Sequence, residues 1–105
     1  MKFTFLPAAE LDAADAAVWY DDQRFGLGDE FLDELKDVLG RVQQAPEQAP
    51  RLEHYAGRRD VRRYLLKRFP YIVVFVCQPH EVIVVAVSHA RRRPLYWLCP
   101  FGWDA

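Results

Sequence analysis

Cysteine is scarce in this chain. Two residues, Cys77 and Cys99, among 105 are too few for the disulfide framework of a small secreted domain. Glycine is sparse too, with five, and no glycine loop has the pattern that cradles phosphates. Long apolar runs are missing. The longest, YIVVFVC at 71–77, falls far short of the roughly 20 residues that a membrane-spanning helix needs. The opening MKFTFLPAAE has no extended apolar region of the signal-peptide kind. His54, His80, His89 and the two cysteines show no metal-ligand spacing. Spacing supports no Ser/His/Asp arrangement either. Internal repeats, low-complexity tracts and interdomain linkers are absent. These gaps count against a disulfide scaffold, a membrane span, a phosphate loop and a metal centre. The expectation is a cytoplasmic protein without a cofactor.

What is present reads as one packed domain over residues 1–105. The chain is 51% hydrophobic and 14% aromatic, far from the composition of disordered segments. Its net charge of −1 conceals a split between the halves. Residues 1–50 hold eleven acids and four bases, and residues 51–105 hold ten bases and four acids. Such a chain can offer a basic face to anions while staying near neutral overall. The plainer reading is two solvated faces of opposite sign.

Periodicity supplies the elements. KFTFL at 2–6 alternates and carries aromatics, so it reads as a short strand. Pro7 suits the first turn of a helix, where its missing N–H is harmless. Along that helix Leu11, Ala14, Val18 and Phe25 fall on one side, with Asp12, Asp15 and Asp22 on another. Gly26 is expected to cap its C-terminus, and Asp29 to cap or start a second helix. In the second helix Phe31, Leu35, Val38 and Val42 recur at spacings of three and four, joined by Leu32 and Leu39. The short Gly26-Leu27-Gly28 link predicts an antiparallel helical hairpin. Residues 44–57, with two prolines and no period, predict a surface connection. Strands are predicted at 61–66, 71–77 and 82–87, the last two rich in β-branched residues. Tight turns around Arg68-Phe69-Pro70 and Gln78-Pro79-His80 make them an antiparallel meander. The 71–77 strand lacks polar alternation, so both its faces should be covered. The helical hairpin buries its apolar stripe against one face of the sheet, giving a two-layer α+β domain in the order β-α-α-β-β-β.

Hairpin geometry places the polar groups. A turn centred near Pro79 sets His89 opposite Phe69 and Pro70, while Arg63 pairs near Val73. His89 and the run Arg91, Arg92, Arg93 then share one end of the sheet, and a one-residue slip would reverse a side chain's face. That run is followed by Tyr96, Trp97, Phe101 and Trp103, a mixture suited to an acidic protein segment or to nucleic acid. Arg62, Arg63, His89, Arg91, Arg92, Arg93, Tyr96 and Trp97 are therefore the candidate partner-binding residues. No catalytic set is favoured. The alternative set is Arg63, His89, Arg91 and Tyr96, with His89 as a base and Arg91 as a phosphate clamp.

Three stretches carry a resemblance. AVWYDDQRFGLGDEFLDEL at 17–35, RRYLLKRFPYIVVF at 62–75 and VIVVAVSHARRRPLYW at 82–97 resemble the RelE/ParE superfamily of type II toxin–antitoxin toxins. The likeness is greatest for the ParE-like, plasmid-stabilisation branch and runs across nearly the whole chain. It implies a RelE/ParE-like fold and a bacterial toxin held inactive by a cognate antitoxin that wraps it. ParE-like members are associated with inhibition of DNA gyrase, and RelE-like members with cutting mRNA on the ribosome. RelE-like members place a basic residue just after the tyrosine of the middle strand, whereas this chain has Tyr71-Ile72. Their C-terminal aromatic aligns with Trp97, or with Tyr96 after a one-residue shift, and an indole cannot transfer a proton as a phenol does. Both departures favour a toxin that acts by binding. A ribosome-dependent mRNA endonuclease and a non-toxic interaction module on the same fold remain as alternatives.

Overall fold

The structure, a computed structural model, describes residues 2–52 and 57–90. Its elements are β1 (Lys2–Phe5), α1 (Pro7–Gln23), α2 (Leu27–Gln44), β2 (Asp60–Leu65), β3 (Tyr71–Gln78) and β4 (Glu81–His89). The four strands form one sheet in the order β1-β4-β3-β2. The meander of β2, β3 and β4 is antiparallel, as its short connections require. β1 joins β4 in parallel, its chain returning through the two helices, so the sheet as a whole is mixed.

Both faces of β3 are covered. On the helix side Val73 and Phe75 pack with Phe31, Leu35, Val38, Val42 and the alanines of α1. On the opposite face Val74 and Val76 pack with Val61, Val85, Ala86, Leu6 and Leu52. Alternation along the strand sends neighbours to opposite layers, and here both layers are dry.

The burial of α1 reverses the expectation from sequence. Its inward residues are Ala9, Ala13, Ala16, Ala17 and Tyr20. Leu11 and Val18 point outward, and Phe25 is exposed just beyond the helix. Size explains the reversal. α1 packs on α2 and on β4, where Val82, Val84 and Val87 already fill the layer. Methyl-sized side chains fit a helix this near the sheet, and the one large inward residue, Tyr20, enters the aromatic cluster of Phe31, Phe69 and Tyr71 near the helix end. The close approach lets the Asp12 carboxylate accept a hydrogen bond from the Val87 N–H at 3.2 Å.

Two glycines make the helical hairpin, for different reasons. Gly26 has φ of 88° and is the N-cap of α2 rather than the C-cap of α1, which is Arg24. A left-handed residue there turns the chain at no steric cost. Asp29 accordingly sits in the first turn of α2, not at its cap. Gly28 is a packing position: a Cβ on it would lie 2.3 Å from the Ala17 carbonyl oxygen. Its N–H donates to Asp21 Oδ1 at 2.7 Å, so an α1 carboxylate caps the start of α2.

The connection after α2 is less loose than its composition suggests. α2 runs to Gln44, and Pro46–Gln48 forms one 3-10 turn. Residues 50–52 then line the outer edge of β2, with Leu52 N–H on the Val61 carbonyl and Arg63 N–H on the Pro50 carbonyl.

Candidate functional site

Register decides what the sheet brings together. The β3–β4 turn is Pro79-His80, closed by the pair Gln78 and Glu81. A plain two-residue hairpin would set His89 against Pro70, but a bulge shifts the ladder between Val74 and Phe75. Val85 is the extra residue on β4, and His89 therefore pairs with Tyr71. Their rings meet edge to face at 5.3 Å. Arg63 pairs with Val74, one residue beyond the position expected. Tyr71 belongs to the helix-side layer and Val74 to the opposite one. Directly paired residues share a face, so His89 and Arg63 project from opposite faces of the sheet. Ile72, pairing with Leu65 and Ser88, lies on the Arg63 side.

Around His89 the helix-side layer is aromatic. Tyr20 contacts Phe31, Phe69 and Tyr71 at centroid distances of 5.4, 4.8 and 6.0 Å. Burial, and then the neighbouring Tyr71, push the Tyr20 phenol above its ordinary value, so it stays protonated at neutral pH. Phe69 plugs this cluster from the β2–β3 turn. The RFPY stretch is thus a structural plug with a cationic neighbour. Arg68 Nη2 meets Glu30 Oε1 at 2.6 Å, and Arg24 Nη2 meets Glu30 Oε2 at 3.0 Å. Glu34 accepts the backbone N–H groups of Lys67 and Arg68 at 2.6 and 3.1 Å. Two carboxylates one helical turn apart on α2 therefore hold the turn that carries Phe69.

The Arg68 hydrogen bond first, and the Arg24 one second, hold the Glu30 carboxyl below its ordinary value of 4.5. A depressed carboxylate stabilises the fold fully above that ordinary value and loses its contribution as pH falls through the lower folded one. Wild type and Glu30→Gln should therefore differ in stability at neutral pH and converge under acid. Thermal unfolding across pH checks this, and the exposed pair predicts a small gap.

Arg62, expected to face a partner, is occupied inside the molecule. Its side chain is 15% exposed. Nη1 donates to the carbonyls of Glu47 and Ala49 at 3.0 and 2.7 Å, and Nε donates to Asp60 at 3.1 Å. One guanidinium thus ties the 3-10 turn to β2. Arg62→Ala would strand two carbonyls and part of a carboxylate, at about 2–4 kcal/mol given hydrogen bonds to charged groups. Urea unfolding should show that loss, and Arg62→Lys should recover little because it lacks the planar fork.

Arg63, by contrast, lines a shallow depression of about 210 Å³ with Pro50, Tyr64 and Leu65 on the edge of β2. Cys77 sits at the far end of the sheet from His89, paired with Val82. Burial first, and Asp60 next, push its thiol up and leave it a poor nucleophile. Arg91, Arg92, Arg93, Tyr96 and Trp97 lie outside the described residues, as do His54 and Cys99. The described chain reaches them from the His89 end, where Ala90 N–H is held by the Pro70 carbonyl at 2.7 Å. Among the described residues no group of three His, Cys, Asp or Glu side chains is placed to hold a metal ion. No described helix is long and apolar enough to cross a membrane.

Sequence reasoning missed Asp12, Asp21, Glu34 and the role of Arg62. Each is a polar residue bonded to backbone at least seven positions away, and hydrophobic periodicity carries no trace of such contacts.

Comparison with known proteins covers nearly the whole chain. Residues 3–94 match the family model described as the ParE toxin of type II toxin–antitoxin system, parDE. Among solved structures the chain is similar to one described as a chromosomal ParDE TA system from P. aeruginosa. The two are 19% identical, with a TM-score of 0.65, over 85% of this chain and 95% of that one. At that identity the likeness bears on the fold. No curated protein matches the chain significantly.

Proposed function

Because the chain belongs to the ParE toxin family of type II toxin–antitoxin systems, we propose that it inhibits its target by binding rather than by cutting RNA. The target we assign is DNA gyrase, and the neutralising partner is a cognate antitoxin. One observation carries the choice between binding and cutting. RNA cleavage through the 2′-hydroxyl needs a base, an acid and a phosphate clamp converging on one phosphate. Arg63 and His89 stand on opposite faces of the sheet. Ile72, where RelE-like toxins carry a cation, faces away from His89. The antitoxin reading rests on the family and on the basic sequence that follows Ala90.

Induced expression in a bacterium tests the pairing. Growth should stop when the chain is made alone and resume when a small antitoxin-like neighbouring reading frame is expressed with it. Unhindered growth without that frame would favour the non-toxic module. Replacing Arg91, Arg92 and Arg93 together by alanine should change stability by no more than about 0.5 kcal/mol per site. It should weaken antitoxin binding by about tenfold or more, through lost steering and lost pairing. Calorimetric titration of the purified pair measures the binding, and thermal unfolding measures the stability. Unchanged binding and undiminished toxicity would make that run a solvated edge.

A further inference from the structure

We infer that the outward face of α1 is a docking surface for a cationic amphipathic helix of a partner protein. Leu11 and Val18 are each 62% exposed, Trp19 is 56% exposed, and Phe25 at the hairpin turn is 97% exposed. Scattered surface apolar residues need no explanation. Trp19 lies about 100° round the helix from Val18 and Phe25 beyond its end, but Leu11 and Val18 are in line. Leu11, Ala14 and Val18 recur at spacings of three and four, which stacks them in one stripe along the helix. That spacing matches the anchors by which one helix lies along another.

Charge selects the occupant. α1 contains Glu10, Asp12, Asp15, Asp21 and Asp22 and no lysine or arginine. Asp21 is taken by the Gly28 N–H, and Asp12 by the Val87 N–H. On a wheel of 100° per residue, Asp15 and Asp22 border the apolar stripe on one side and Glu10 on the other. Among the described residues none of these three forms an ion pair. An apolar stripe with Asp15 and Asp22 along one border and Glu10 on the other complements a helix whose own stripe is bordered by Lys or Arg. A second copy of this chain meeting it face to face would oppose like charges, since a two-fold contact sets the same patch against itself. Anionic lipid headgroups would be repelled in the same way. The inference does not depend on the toxin reading.

A probe is simple to make. A dye-labelled Leu/Lys amphipathic peptide of about 18 residues would match the length of α1 at 1.5 Å per residue. It is titrated against the full chain by fluorescence anisotropy, beside a counterpart with Glu in place of Lys. The Lys peptide should bind, with the Glu peptide weaker by about tenfold or more. Salt near 1 M, where the Debye length is about 3 Å, should cut the difference. Leu11→Ser with Val18→Ser should weaken the Lys peptide by about tenfold while the circular dichroism spectrum stays unchanged. Leu11→Ala with Val18→Ala serves as a second variant should the serines perturb the helix. No binding, equal binding of both peptides, or binding untouched by the folded double variants would overturn the inference. So would sedimentation showing a dimer of the chain that the same variants convert to monomer, because the occupant would then be a second copy.

Discussion

Val74→Asp is expected to abolish the cooperative fold. Val74 is 1% exposed at the middle of β3. It packs among Val61, Val76, Val85 and Ala86, with cross-strand partners Arg63 and Ala86. Two losses add. Removing the buried valine forfeits about 1.5–3 kcal/mol of burial. A carboxylate in its place is either charged within an apolar layer or protonated at an energetic cost, and several more kcal/mol are lost. Domains of this size hold about 5–15 kcal/mol in total, so the sum consumes most or all of it. Arg63, the cross-strand partner on this face, already has contacts of its own, and pairing with it would offset only part of the cost of burying the carboxylate. Far-ultraviolet circular dichroism and one-dimensional NMR should show an unfolded or molten chain. Val74→Ala, which leaves only a small cavity, should remain folded at a loss of roughly 1–3 kcal/mol. A well-dispersed spectrum for Val74→Asp would mean that this face of the sheet is open to water.

Gly28→Ala should produce the second large effect from the smallest possible side chain. Its Cβ would lie 2.3 Å from the Ala17 carbonyl oxygen and 2.8 Å from the Asp21 carboxyl carbon. The carboxyl group can rotate away, but the carbonyl is helix backbone and cannot. Relief requires α1 and α2 to separate where they now touch, which also breaks the Gly28 N–H bond to Asp21. Overpacking in a tight contact costs about 1–3 kcal/mol, and the lost cap adds about 1 kcal/mol. Thermal unfolding should show the combined drop. Gly40 provides the contrast, since nothing lies within 4 Å of a Cβ there. Gly40→Ala should stabilise, by up to about 1 kcal/mol, through helix propensity alone. If Gly28→Ala were as harmless, the hairpin would not be as close as the structure has it.

β3 and β4 are legible in the sequence because their hydrophobicity is continuous and β-branched, and β1 because it alternates, and all four expected strands lie within two residues of their structural ends. Val61, Val73, Val74 and Val84 tell the same story by pattern and by packing. The second helix was legible for a similar reason: Phe31, Leu35, Val38 and Val42 form one stripe, and all four are buried. The first helix was not. Large apolar residues there lie outward and alanines inward, and a rule that buries the largest side chain cannot anticipate a layer whose space is already filled from the sheet. Site geometry was legible only to one residue. The bulge at Val85 leaves no mark in a uniform run of valines, yet it moves His89 from opposite Pro70 to opposite Tyr71. The family resemblance carried the functional class, and the register then separated Arg63 from His89. Tethers such as Arg62 to the carbonyls of Glu47 and Ala49 depend on three-dimensional proximity and were out of reach of any periodicity.

The central claim, inhibition by binding without RNA cleavage, meets its most direct test in one induced culture. In the first minutes after induction, transcripts are mapped by primer extension while protein-linked DNA breaks are quantified. Intact transcripts together with accumulating gyrase-linked breaks are the predicted result. Truncated mRNA appearing before any change in DNA topology would contradict it.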